Sequence, residues 1–308
     1  MTKHIRIATR KSPLALWQAE YVKQQLLALD ASLQVDLIKM TTEGDIKLEH
    51  SLSKFGGKGL FIKELEKALL DGSADLAVHS MKDMTVLLPE ELTIAACLAR
   101  HDPRDALVSN RFNSLQALPQ NAIVGTSSLR RQSQILAKRP DLQIKLLRGN
   151  VGTRLKKLDD GEYDAIILAA AGLERLGLKQ RITEYLSTER CLPAVGQGVI
   201  GVECRANDHA LQQLLHKLND TTAATCLAAE RAMNKALEGG CQVPIAGFAT
   251  IKDAYITLEG RVASPDGKTM LIAKQTANIN DAEVLGEAVA KDLLAQGARA
   301  IIDSIYHA

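Results

Sequence analysis

Short apolar runs alternate with amphipathic segments along the first two-thirds of the chain. Apolar residues recur at intervals of three and four between Ala15 and Leu29, which predicts a helix. Ser12 and Pro13 precede it as an N-cap and a first helical residue. The predicted strands of this part are Ile5–Ala8, Gln34–Met40 and Leu76–His79. Strands and helices in alternation predict parallel sheets and an α/β class.

The same pattern starts again near Asp102. Pro193–Gly198 is typical of a hinge, and the strand Val199–Cys204 that follows is expected to return to the first unit. The other strands predicted here are Ala122–Val124, Ile144–Leu147 and Asp164–Ala169, and helices are expected to open at Thr126 and Val151. The chain therefore contains two α/β units joined by two crossovers.

The last third of the chain changes character. A strong helix over Thr221–Leu237 is followed by Gly239 and Gly240, which are expected to end it. Pro265–Gly267 is a turn signal between two of the runs that read as antiparallel strands. These strands are Val243–Ile251, Tyr255–Ala263 and Met270–Ala277, with a helix over Asp281–Leu294 after them. We expect a small α+β domain.

Composition narrows the class of protein. The 308 residues are 46% hydrophobic and 24% charged with a formal net charge of +2, which is typical of a globular protein and not of a general polyanion binder. The five scattered cysteines predict neither a disulfide framework nor a zinc site, and the histidines show no metal-binding spacing. No apolar run is long enough for a membrane span, and the charged N-terminus is unlike a secretion signal. A cytoplasmic protein without metal or membrane contact is expected.

Basic residues are concentrated in the stretch from Thr126 to Lys156. Eight Lys and Arg residues stand there against one acid. Arg130 and Arg131 lie in a first helical turn, where a cation is unfavourable unless an anion docks on the free N–H groups. Arginine suits carboxylates because it donates two parallel hydrogen bonds. A solvated helix face is the alternative interpretation, and nucleic-acid binding is disfavoured because the stretch has no aromatic residue for base stacking.

Three further segments are candidates for chemistry. Lys54–Gly59 is a basic, glycine-rich stretch that fails the P-loop pattern, so it is either a ligand loop or a surface loop. Asp83 follows the strand that ends near His79, where an acid either stabilises a cation and exchanges a proton or serves as a turn residue. Cys241 follows two glycines, which leave room for a bulky group on sulfur, although a lone cysteine is more often a small buried residue.

Five sequence blocks together resemble the porphobilinogen deaminase family. The blocks start at Arg10, Val78, Gly125, Arg148 and Leu237, and read RKSPLA, VHSMKD, GTSSLRR, RGNVGTR and LEGGC. They cover nearly the whole chain in the family's order. The resemblance implies a transferase of tetrapyrrole (haem) biosynthesis, which joins four porphobilinogen molecules head to tail and releases four ammonia molecules.

The resemblance also implies a cofactor and site residues. The cofactor is dipyrromethane, bound covalently through a thioether to Cys241, and the catalytic residue is Asp83. The implied cofactor- and substrate-binding residues are Arg10, Ser12, Lys58, Lys82, Arg100, Thr126, Ser127, Ser128, Arg130, Arg131, Arg148, Arg154, Arg175 and Gln197.

The family's fold implies an α/β class with two doubly wound domains like those of periplasmic binding proteins plus a small α+β C-terminal domain. The expected limits are residues 1–100 with 199–218, residues 101–198, and residues 219–308. A monomer is expected, with direct handover of the product to uroporphyrinogen-III synthase as a further hypothesis. The alternative function is a non-catalytic, two-lobed protein that binds small anions.

Overall fold

A computed structural model describes residues 4–42, 62–240 and 242–306. Its strands are β1 (His4–Arg10), β2 (Gln34–Met40), β3 (Leu76–Ser80), β4 (Leu92–Cys97), β5 (Asp105–Val108), β6 (Ile123–Gly125), β7 (Gln143–Lys145), β8 (Ala165–Ala169), β9 (Glu184–Leu186), β10 (Ile200–Arg205), β11 (Ile245–Lys252), β12 (Tyr255–Ala263) and β13 (Met270–Asn278). Its α-helices are α1 (Pro13–Leu29), α2 (Lys63–Leu70), α3 (Leu129–Leu136), α4 (Val151–Asp159), α5 (Ala170–Arg175), α6 (His209–His216), α7 (Thr221–Ala236), α8 (Ala282–Ala295) and α9 (Ala298–Tyr306). Short 3₁₀ turns cover Met81–Asp83, Lys179–Arg181 and Ile279–Asp281.

The first sheet has the order β2-β1-β3-β10-β4. Strand β1 is parallel to β2 and β3, whereas β10 is antiparallel to both of its neighbours, β3 and β4. The prediction that the segment after the hinge returns to the first unit is therefore confirmed. The predicted parallel pairing holds for β1 with its two neighbours. It fails for β10, because a strand that re-enters from the second crossover runs in the opposite direction.

The second sheet repeats this arrangement with the order β7-β6-β8-β5-β9. Strand β6 is parallel to β7 and β8, and β5 is antiparallel to β8 and β9. Because β6, β7 and β8 are parallel, the segments that follow them start at one edge of the sheet. The first residue of the antiparallel β5, Asp105, lies at that same edge, paired with Ala169 at the end of β8.

The C-terminal domain is built on the antiparallel sheet β11-β12-β13. Leu285, Val289 and Leu293 recur every four residues along α8 and are buried in one core with residues of the sheet and of α7. Full burial of each such side chain stabilises the fold by about 1.5–3 kcal/mol. The turn at Gly267 (φ +72°) packs against α3, and a Cβ there would lie 2.5 Å from the backbone nitrogen of Ala137. The predicted fold class, two α/β domains and a small C-terminal domain, is confirmed.

The chain divides into two compact units. One comprises residues 1–101 and 198–224, and the other comprises residues 102–197 and 225–308. The second unit contains both the second five-stranded sheet and the C-terminal sheet, so the division into three domains at the expected limits stays a prediction. Within the described residues, no helix has the length and apolar character that crossing a membrane requires.

Candidate functional site

Arg10 and Ser12 lie where the first strand passes into the first helix. Arg10 is the last residue of β1 and is half-buried. Ser12 caps α1, because its hydroxyl oxygen accepts a hydrogen bond from the backbone N–H of Ala15 at 3.4 Å, and Pro13 follows as the first helical residue. The predicted helix start is confirmed. The cap uses only the acceptor capacity of the hydroxyl oxygen. The O–H of Ser12 can therefore still donate a hydrogen bond to a ligand.

The segment with Asp83 is anchored by its neighbour in the core. Met81 is buried, and its backbone N–H donates to the carbonyl of Val199 at 3.0 Å. Gly201 on β10 leaves the space that Met81 fills, since a Cβ there would clash with the Met81 sulfur. Lys82 is half-buried and Asp83 is exposed at the end of this turn. A rigid anchor thus presents an exposed carboxylate at the edge where β1 and β3 end.

Hydroxyl groups mark the corresponding edge of the second unit. Thr126, directly after β6, is buried and its Oγ1 accepts from the backbone N–H of Ser128 at 3.2 Å. Ser128 caps α3 by accepting from the N–H of Arg131 at 3.4 Å, and Ser127 between them is exposed. The helix predicted to open after Thr126 is confirmed.

A second helix start lies beside the first. The backbone of Thr126 bonds to that of Lys145 and of Leu147, which holds the segment after β7 against the segment after β6. Asn150 caps α4, and Gly149 precedes it with φ +113°, a conformation that favours glycine. Arg154 donates from Nε to the carbonyl of Gly149 at 2.8 Å, and the neighbouring Arg148 is half-buried. The structure therefore brings the Thr126–Arg131 and Arg148–Arg154 segments together.

Arg130 and Arg131 are buried and paired inside the chain. Only 4% of Arg130 and 6% of Arg131 is exposed, and both guanidinium groups contact the carboxylate of Asp105. In the sequence analysis, two cations in a first helical turn indicated a ligand anion. The structure shows that the carboxylate of Asp105 already pairs with both of them. The predicted role of both arginines in ligand binding stays a prediction, and Asp105 is a residue that the sequence analysis missed.

Three other predicted residues occupy different parts of the units. Arg175 is the buried last residue of α5, which follows β8. Gln197 is buried and donates from Nε2 to the carbonyl of Pro103 at 2.6 Å and to Asp105 at 3.0 Å. Arg100 is half-buried in the first unit, just before the crossover. Lys58 and Cys241 lie outside the described residues.

The electrostatics of the second unit centre on Asp105. Burial alone would raise the pKa of Asp105, but the Arg130 and Arg131 guanidinium groups outweigh burial and hold that pKa well below its usual range. Burial and the nearby Asp105 carboxylate raise the pKa of the Cys191 thiol to about 12. At neutral pH Asp105 is therefore ionised and Cys191 is a neutral thiol that donates to Asp105 at 3.3 Å.

The raised pKa of Cys191 predicts a specific loss of stability in alkali. The thiol has an ordinary pKa of 9.0 in the unfolded chain and a pKa of about 12 in the folded one. The stabilisation is complete below pH 9 and is lost as the pH rises toward the folded pKa. Relative to a Cys191→Ala variant, we expect the free energy of unfolding of the wild type to fall by up to about 1.4 kcal/mol per pH unit above pH 9. Urea unfolding of both proteins at pH 8, 9.5 and 10.5 measures this, and parallel pH profiles would contradict it.

The end of α7 shows how the chain approaches Cys241. The residue in the left-handed conformation is Glu238 (φ +54°), where the sequence predicted the glycines after it to end the helix. Its carbonyl accepts from the hydroxyl of Tyr306 at 3.4 Å, and its carboxylate accepts from Arg299 at 3.1 Å. The N–H of Gly239 returns to the carbonyl of Asn234 at 2.8 Å, which closes the helix end. Helix α9 therefore braces the segment that leads to Cys241.

Taken together, each unit carries a set of donors at the edge where its parallel strands end. Among the described residues singled out above, the groups are guanidinium and ammonium ions and hydroxyls, together with the exposed carboxylate of Asp83 at the edge of the first unit. Cations and hydroxyls of this kind bind carboxylates, and an exposed carboxylate can stabilise a cation or accept a proton. The donor set fits a ligand that bears several carboxylates.

Two family models match the chain. The model described as porphobilinogen deaminase, dipyrromethane cofactor binding domain, matches residues 5–213. The model described as porphobilinogen deaminase, C-terminal domain, matches residues 224–295. Together they cover nearly the whole chain in one order.

Three solved structures show a weaker likeness to this chain. A periplasmic substrate-binding protein of an ABC transporter from Coxiella burnetii is 16% identical with a TM-score of 0.44, over 74% of this chain and 96% of that one. A putative methionine-binding lipoprotein from Bacillus subtilis is 18% identical with a TM-score of 0.43, over 70% and 90%. The VFT2 domain of BvgS from Bordetella pertussis is 16% identical with a TM-score of 0.43, over 70% and 86%. The family assignment rests on the family models and not on these likenesses.

Proposed function

Because the chain belongs to the porphobilinogen deaminase family, we propose that it joins four porphobilinogen molecules head to tail into a linear tetrapyrrole and releases four ammonia molecules. The observation that carries the proposal is the match of both family domains, residues 5–213 and 224–295. The same match favours a transferase of tetrapyrrole biosynthesis over a non-catalytic anion-binding protein.

A dipyrromethane group fits the chemistry of the described residues. Two linked pyrroles carry several carboxylates, which match the guanidinium and hydroxyl donors after β6 and β7. When bound, the group supplies the primer pyrrole to which substrate units are added. We propose Cys241 as its attachment point through a thioether, because a thiolate is the nucleophile that captures an electrophilic methylene carbon.

The arginines and hydroxyls are proposed to hold the carboxylates of the growing chain. Each porphobilinogen carries one acetate and one propionate, so each addition brings two further negative charges. Two opposite charges about 4 Å apart attract by about 4 kcal/mol at an effective dielectric constant of about 20, before desolvation is subtracted. Arg10, Arg148 and Arg154 are the half-buried cations proposed for this role. Ser12, Lys82, Thr126, Ser127, Ser128, Arg130, Arg131, Arg175 and Gln197 are proposed to share it, as are Lys58 and Arg100.

Asp83 is proposed to stabilise the positive charge that forms on the substrate in each addition and to accept the proton that the attacked ring then loses. The protonated amino group of a substrate's aminomethyl substituent leaves as ammonia with the electron pair of the broken carbon–nitrogen bond. The methylene carbon that remains carries positive charge shared with the pyrrole nitrogen. A carboxylate oxygen of Asp83 holds the pyrrole N–H and stabilises that charge. The carbon–carbon bond then forms, and the ring carbon that has been attacked loses its proton, which a carboxylate oxygen can accept. The exposed position of Asp83 on an anchored turn fits both tasks.

Location and partners belong to the same proposal. We place the enzyme in the cytoplasm as a monomer, with porphobilinogen as substrate and without metal, membrane or nucleic-acid partners. A direct handover of the product to uroporphyrinogen-III synthase stays a hypothesis. Sedimentation of the pure chain with and without that enzyme would measure both the oligomeric state and the association.

The proposed activity is tested by incubating the purified chain with porphobilinogen. We expect about one ammonia released per porphobilinogen consumed, and a linear tetrapyrrole as product. The starting protein is expected to be heavier than its sequence by two pyrrole units when it is made in cells that synthesise porphobilinogen. Protein that carries this adduct but releases no ammonia would overturn the proposal.

A further inference from the structure

Three of the predicted binding residues converge on the buried carboxylate of Asp105. Its Oδ1 accepts from Nε of Arg131 at 3.0 Å, from Nη2 of Arg131 at 2.8 Å and from Nε2 of Gln197 at 3.0 Å. Its Oδ2 accepts from Nη1 of Arg130 at 2.7 Å and from the Cys191 thiol at 3.3 Å. Asp105 itself is fully buried. One side chain therefore fixes the positions of Arg130, Arg131 and Gln197 together.

The topology explains why a strand's first residue reaches this place. Strand β5 runs antiparallel to β8, so its amino end lies at the edge where β6 and β8 have their carboxyl ends. Helix α3 begins at that edge and carries both arginines in its first turn. The carboxylate at the start of β5 therefore lies within ion-pair distance of both arginines.

The charges of this cluster do not cancel. Two guanidinium groups meet one carboxylate, and among residues 4–42, 62–240 and 242–306 neither arginine has an ion pair with another acid. Nη2 of Arg130 donates to no residue in that part of the chain, and the buried Oε1 of Gln197 accepts from none. Buried charges are ordinarily paired, so a nearly buried cluster with one surplus positive charge is suited to one further anion.

We propose that Asp105 is a positioning residue, which neutralises one of the two arginines, orients both together with Gln197, and leaves one positive charge for a single carboxylate of the bound pyrrole chain. The proposal rests on the proposed function for the identity of the ligand. It differs from a purely structural ion pair in what it requires: the affinity for an anion depends both on the orientation that Asp105 gives to the arginines and on the one positive charge that remains.

Kinetics of an Asp105→Asn variant test the positioning role. Asparagine keeps the shape but loses the ionic contacts that orient both arginines, so the misplaced donors should raise the KM for porphobilinogen at least tenfold, although the net positive charge increases. A smaller change is expected in kcat. Asp141→Asn is the matched control, because Asp141 pairs with Arg139 in the same unit at 2.6 Å without contact to a predicted binding residue. A KM for Asp105→Asn within twofold of that of Asp141→Asn would overturn the proposal.

Sulfate measures the charge of the cluster without any turnover. The cluster has a charge of one in the wild type and zero in Arg131→Gln, so the rise in thermal midpoint per tenfold increase in sodium sulfate should be larger for the wild type than for Arg131→Gln. Sodium chloride at equal ionic strength and the Asp141→Asn protein remove the general effect of salt. A rise in Arg131→Gln equal to that of the wild type would overturn the proposal.

The two series separate the possible failures. If Asp105→Asn does not fold, Arg131→Gln against the wild type still decides the outcome, because that variant keeps Asp105 paired with Arg130. If the wild type releases no ammonia from porphobilinogen, the proposed function fails, and the sulfate series alone decides whether the cluster binds an anion in proportion to its charge.

Discussion

A Cys241→Ala variant is expected to be lighter than the wild type by two pyrrole units, beyond the mass of the lost sulfur, and to form no tetrapyrrole. The physical reason is that only a thiolate of this chain would hold the primer covalently, and alanine has no nucleophile. The measurement is intact mass, followed by mapping of the modified peptide and by an assay of ammonia release. This change should have the largest effect on turnover, because without a tethered primer no addition is retained.

The control is Cys226→Ala. Cys226 is a buried cysteine of the same unit that packs in the core under the C-terminal sheet, so its replacement should lower stability modestly and leave the adduct in place. An unchanged adduct in Cys241→Ala would move the attachment to another residue. A wild-type mass equal to the bare sequence, in protein from cells that make porphobilinogen, would remove the cofactor from the proposal.

Asp83→Asn is expected to reduce kcat by at least about 10³ while the fold and the adduct survive. Loss of general acid–base help typically costs about 10²–10⁴ in rate, and loss of a charge that stabilises a cation adds to that. Because Asp83 is exposed on a turn whose buried anchor is Met81, asparagine should fit without disturbing the packing. Single-turnover ammonia release and thermal unfolding of the same sample measure both effects.

Glu90→Gln is the matched control for the loss of one exposed carboxylate. Glu90 is an exposed acid of the same unit, seven residues further along the chain, and its replacement should change kcat by less than twofold. Near-normal turnover of Asp83→Asn would refute the assigned role. Full ligand binding by Asp83→Asn without turnover is the outcome that the role requires.

Elements with a strong local signal were predicted well from the sequence. Strand Gln34–Met40 and strand Tyr255–Ala263 have the predicted limits, and α4 begins at Val151 as expected. In each of these elements the apolar pattern and the turn or cap residues that bound it lie within a few positions of each other. The local sequence is therefore sufficient to predict where the element begins and ends. The short strand β9 (Glu184–Leu186) and helix α9 were missed, because three residues carry no period and α9 is stabilised by packing of Ala298 and Ile302.

The alternation of strands and helices along the sequence could not show that both sheets contain parallel and antiparallel strands. Alternation of strands and helices predicts parallel neighbours. However, β5 and β10 each follow a crossover between the units, and each inserts between two strands that are distant from it in sequence. Asp105 escaped notice for the same reason. Ligand residues were sought after the carboxyl ends of strands, whereas Asp105 starts an antiparallel strand and reaches the same edge from the other direction.

The sequence predicted which segments contribute to the candidate site. It did not predict which of their charged side chains are already paired inside the protein. Residues that follow β1, β3, β6 and β7 do lie where strands end, as their hydroxyl and glycine neighbours indicated. What the sequence could not show is that Arg130 and Arg131 are nearly buried and share an internal partner. Charge counts along a chain cannot reveal pairing between residues 25 positions apart.

The brace formed by α9 bears on how the protein is best handled in the laboratory. Arg299 and Tyr306, in the last described helix, hold Glu238 three residues before Cys241. A bulky affinity tag or fluorescent fusion appended beyond that helix would add mass beside these two contacts. That position is therefore a poor choice for a fusion when thioether formation is to be followed.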